Sequence, residues 1–98
     1  MLAHSHQLQN LYDLRQFVYQ ALCGHDQLEF GAFQMTERIL LRSDAPCGIY
    51  FCLHGPRSVK FTAIWETDRN TILFYNSNGE RFHKTQLIRA PNLLPAMA

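Results

Sequence analysis

At 98 residues the chain has room for one hydrophobic core and none for a deep cleft between two domains. Its 47% hydrophobic and 12% aromatic content excludes a disordered chain, and a formal net charge of +1 excludes strong overall attraction to nucleic acid or membrane. No apolar run approaches the ~18 residues that a membrane helix needs.

Charge is uneven along the chain. Residues 1–30 are net acidic and residues 31–98 net basic, with arginine the main cation. Arginine suits planar, bidentate contacts better than lysine does. Cys23, Cys47 and Cys52 are an odd number without disulfide-scaffold spacing. No basic stretch followed by a long apolar run opens the chain, so no secretory signal is expected. These features place the protein in a reducing cytoplasm with free thiols.

Residues 6–22 read as a helix. Leu8, Leu11, Val18 and Leu22 make a stripe at 3.6-residue spacing, broadened by Tyr12, Leu14 and Ala21. Ser5 fits an N-cap, and Gly24 stands where a left-handed C-cap belongs.

Past Gly24 the period becomes two. Phe33, Met35, Ile39 and Leu41 predict a strand over 33–42, extended back to Leu28 through a bulge near Gly31. Ser43-Asp44-Ala45-Pro46 is turn chemistry, followed by a strand from Gly48 to His54. Gly55-Pro56-Arg57-Ser58 is a tight turn, and Val59 to Glu66 alternates cleanly. Asp68-Arg69-Asn70 reads as a hairpin loop and Thr71 to Asn76 as a strand. Asn78-Gly79 predicts a two-residue hairpin turn with positive φ at both positions, and Arg81 to Gln86 a last strand.

Short loops force antiparallel neighbours. The predicted fold is therefore α+β: a two-layer sandwich with the N-terminal helix on one face of a four- to five-stranded antiparallel β-meander. Residues 1–90 form the domain, and 91–98, with Pro91 and Pro95, read as a flexible tail. The covered face is expected to hold Ile39, Leu41, Ile49, Phe51, Leu53, Val59, Phe61, Ala63 and Trp65, with Leu73 and Tyr75 or their neighbours.

Alternation then assigns the opposite face. It holds Arg38, Leu40, Arg42, Tyr50, Cys52, His54, Lys60, Thr62, Ile64 and Glu66, joined by Ile72, Phe74 and Asn76. A solvated sheet face is normally more polar than this. The candidate binding residues are Arg38, Arg42, Tyr50, Lys60, Ile64 and Phe74. The reading is a non-enzymatic interaction module that binds itself, as a homodimer, or another protein through this face. Single-stranded nucleic acid is the alternative, with bases on Tyr50 and Phe74 and phosphates on Arg38, Arg42 and Lys60. The chain lacks the glycine-aromatic signature of RNA-recognition strands.

Other motifs carry less. Cys23-Gly24-His25 and Cys52-Leu53-His54 are Cys-x-His pairs, and Cys52 with His54 shares a strand face. Zinc-site spacing is absent, so no metal or other cofactor is expected, with Cys52 and His54 as weak candidates. The third reading is a small metal- or thiol-dependent enzyme using the same two residues. His54, Ser58 and Asp44 match no catalytic signature. Gly55, Arg57 and Ser58 form a candidate anion-binding turn. Trp65 reads as core.

Overall fold

The computed structural model describes residues 4–8 and 10–89, with side chains at 8 and 10–88. The elements in order are β1 (His4–Gln7), α1 (Leu11–His25), β2 (Gln34–Arg42), β3 (Ala45–His54), β4 (Lys60–Glu66), β5 (Thr71–Tyr75) and β6 (Arg81–Arg89). One sheet runs β1-β6-β5-β4-β3-β2. Strands β2 to β6 form the antiparallel meander, with α1 packed on one side. This is the two-layer α+β arrangement the periodicity predicts. No described helix is long and apolar enough to cross a membrane.

The chain begins differently from the prediction. Residues 4–7 form a strand, paired in parallel with β6 from His4 opposite Thr85 onward. The helix starts only after Asn10, whose side-chain oxygen accepts from the Asp13 amide at 2.8 Å. Asn10 therefore caps the helix in place of Ser5. Leu11, Leu14, Val18, Leu22 and Cys23 are buried, while Tyr12 is 66% exposed and leaves the expected stripe.

The helix runs through Gly24 and ends later. Gln27 takes the left-handed conformation (φ 57°). The Gln27 amide donates to the Gly24 carbonyl and the Leu28 amide to that of Cys23. That pair of bonds is a Schellman closure with glutamine where glycine is usual.

Between helix and sheet lie Ile49, Phe51 and Leu53 from β3, Phe61, Ala63 and Trp65 from β4, and Ile72 and Phe74 from β5. Trp65 is fully buried, as expected, and its indole N–H donates to Asn70 Oδ1 at 3.0 Å. Asn70 Nδ2 in turn donates to the Leu87 carbonyl, tying the β4–β5 turn to β6. Leu41 is 58% exposed rather than covered, because the β2–β3 register shifts between Leu40 and Leu41.

Strand β5 carries the main correction. Ile72 and Phe74, expected on the outer face, are fully buried against the helix. Phe74 packs edge-on to Phe17, with centroids 6.2 Å apart. The cause is the turn: Glu66 pairs with Thr71 across a four-residue loop, so these two share a face. Alternation from there puts Leu73 and Tyr75 outward.

The next turn also differs. The Asn76 amide donates to the Glu80 carbonyl, leaving a three-residue loop. Among its residues only Gly79 has positive φ (82°). Asn76 Oδ1 accepts from the Asn78 and Glu80 amides, which holds Asn78 out of the left-handed region. Strand β6 then runs to Arg89, beyond the predicted end. The expected tail, 91–98, lies outside the described residues.

Candidate functional site: the outer sheet face

Register defines the surface. Arg38, Tyr50, Ile64, Leu73 and Lys84 lie in one cross-strand row. Thr36, Cys52, Thr62, Tyr75 and Arg81 form the next. His54 and Lys60 pair at one end, and Gly48, Glu66 and Thr71 at the other. Tyr50, Ile64, Leu73 and Tyr75 are half-buried, while Arg38, Lys60, Arg81 and Lys84 are exposed. The centre is thus aliphatic and tyrosine, and the rim is basic.

Five of the six expected binding residues are on this side: Arg38, Arg42, Tyr50, Lys60 and Ile64. Phe74 is not, since it belongs to the core. Its place as the second outward aromatic falls to Tyr75, opposite Thr62. The four-residue apolar run from Ile72 to Tyr75 concealed this, because it has no alternation to read. The loop length carried the missing signal.

The cations have different surroundings. The Arg38 guanidinium lies 5.4 Å from the Tyr50 ring centroid, within cation–π range. Arg42 is tied to Asp68, with Nη1 to Oδ2 at 2.6 Å, and this carboxylate raises its pKa. Together they border an open cleft of about 400 Å³, which Leu40, Cys47, Ile64 and Glu66 also line. Lys60, Arg81 and Lys84 have no ion pair among the described residues.

No protein-family model, curated protein or solved structure matches the chain.

The remaining candidates are separated or occupied. Cys23 packs in the core on the helix side, whereas Cys52 shares the outer row with Thr62 and Tyr75. The sheet divides the two Cys-x-His pairs, so they cannot form one zinc site. Cys52 and His54 do share the outer face, but His54 Nε2 meets Thr36 Oγ1 at 2.9 Å. Among the described residues no group of three or more His, Cys, Asp or Glu is placed to hold a metal. The turn at Gly55, Arg57 and Ser58 closes on itself: the Gly55 amide donates to the Val59 carbonyl and the Val59 amide to that of Pro56. Arg57 and Ser58 are exposed and left-handed, at φ 55° and 64°. Burial raises the pKa of the Cys23 thiol, opposite to what a reactive nucleophile needs.

Proposed function

We propose that the protein is a non-enzymatic binding module, that its working surface is the sheet face opposite the helix, and that its partner there is anionic. One observation carries the reading. A sheet covered by a helix on one side presents on the other an aliphatic and tyrosine centre ringed by Arg38, Lys60, Arg81 and Lys84, with Glu66 the one acidic side chain in the paired rows. Solvent-facing sheets are usually more polar at the centre, and basic rims attract anions over several ångströms.

The charge pattern also ranks the partners. A face-to-face homodimer would set this basic rim against its own copy, and like charges in opposition cost several kcal/mol across an interface. Self-association therefore stands behind an anionic partner. The three free cysteines fit a reducing compartment such as the cytoplasm.

Retention on an immobilised sulfated polysaccharide tests the reading. Lys60→Gln with Lys84→Gln should elute at clearly lower salt than wild type. Arg15→Gln, on the helix side, removes one charge from the opposite layer and should elute closer to wild type than Lys60→Gln or Lys84→Gln alone. A loss as large for Arg15→Gln as for either lysine variant would mean that net charge, rather than this face, governs binding.

A further inference from the structure

We infer that the anionic partner is a single-stranded nucleic acid, its bases stacked on Tyr50 and Tyr75 and its phosphates held by Arg38, Lys60, Arg81 and Lys84. The inference rests on the reading above and names its ligand. Tyr50 on β3 and Tyr75 on β5 are two strands and two residues apart. At strand spacings of about 4.8 Å and a rise of about 3.3 Å per residue, their Cα atoms lie about 12 Å apart across the face. Between them lie Thr62 and Ile64 on β4, and both tyrosines are half-buried, with the Arg38 guanidinium over the Tyr50 ring.

Single strands are recognised by such a layout. Splayed bases stack on aromatic rings or guanidinium planes, while cations follow the backbone. The Arg38 guanidinium over Tyr50 offers a planar cation for a base to stack on at the β2 side, and Lys84 and Arg81 supply charge on the β6 side. A duplex fits poorly, because the major groove is read by an inserted helix or ribbon and this surface is a broad sheet. An acidic peptide would satisfy the cations but has no use for two separated tyrosine planes. The opposite layer carries Asp13, Asp26 and Glu29, in and just after the helix. A polyanion approaching the molecule is thereby turned toward the sheet.

The test is fluorescence anisotropy with a labelled oligothymidylate about twelve nucleotides long, against its duplex and against polyglutamate. Neutralising three or four phosphates on a single strand predicts an affinity loss of about 20- to 50-fold between about 50 mM and about 200 mM salt. Tyr50→Leu and Tyr75→Leu keep apolar bulk and remove the aromatic plane. Each should weaken binding at least about fivefold with unchanged far-UV circular dichroism, whereas Tyr12→Leu on the helix should not. Duplex binding as tight as single-strand binding, or leucine variants that bind like wild type, would overturn the inference. If polyglutamate binds with steep salt dependence and the oligonucleotide does not, the anionic-partner reading stands and the nucleic acid falls. If neither binds, both fall.

Discussion

Replacing Phe74 with alanine tests the register of β5, and with it the identity of the side chains on the outer face. The Phe74 ring is fully buried. It lies 6.2 Å from Phe17, 6.0 Å from Phe82 and 5.5 Å from the His83 ring, centroid to centroid. Truncating a buried phenylalanine costs about 3–5 kcal/mol, from lost transfer energy and the cavity left behind. A domain of this length has roughly 5–15 kcal/mol in total, so Phe74→Ala should remove a large share of it. Leu73→Ala and Tyr75→Ala act on half-buried outer positions and should each cost about 1 kcal/mol. Urea unfolding followed by the fluorescence of Trp65, the sole tryptophan, reads all three variants. With a slope of about 1.5 kcal/mol per molar urea, Phe74→Ala should lower the midpoint by about 2–3 M. A larger loss from Tyr75→Ala than from Phe74→Ala would refute the register, and the proposed binding surface with it.

Three further outcomes follow from local geometry. Gln27→Gly should stabilise the protein by about 0.5–1 kcal/mol in the same assay, because glycine takes the left-handed C′ position without a Cβ clash. Glu37→Gln breaks the bidentate pair with Arg15, at 2.7 and 2.8 Å. The Arg15 side chain is 40% exposed, so solvent screening limits the cost to about 0.5–1 kcal/mol at low salt, vanishing near about 1 M salt. Burial raises the Cys23 thiol above its ordinary value of 9.0. The neutral thiol is favoured in the folded state, so its contribution is complete below the unfolded-state pKa and is lost as pH rises through the folded-state one. Wild type should therefore lose stability in the alkaline range more steeply than Cys23→Ala, and equal slopes would exclude Cys23 as the cause.

Much of the fold was legible because burial on one side imposes a period. The helix showed in Leu11, Leu14, Val18 and Leu22, and β4 in the alternation of Phe61, Ala63 and Trp65 with Thr62, Ile64 and Glu66. Where the period failed, so did the reading. Thr71 to Tyr75 is apolar at nearly every position, so its faces depended on the length of the preceding turn. Gly24 looked like a cap because glycine tolerates positive φ, yet the Schellman bonds place that conformation at Gln27. Asn78 looked like half of a type I′ turn, but the Asn76 side chain captured the neighbouring amides and made the loop longer.

The candidate site divides the same way. The sequence by itself determined that a sheet face carrying Arg38, Tyr50, Lys60 and Ile64 lies opposite the helix, because side chains in a strand alternate whatever surrounds them. Only the tertiary structure decided that Tyr75 rather than Phe74 joins Tyr50 there, that Arg42 is engaged by Asp68, and that residues 4–7 add a parallel strand beside β6. Each of these depends on contacts between residues far apart in the chain, set by strand register and turn closure, and local periodicity carries no record of them.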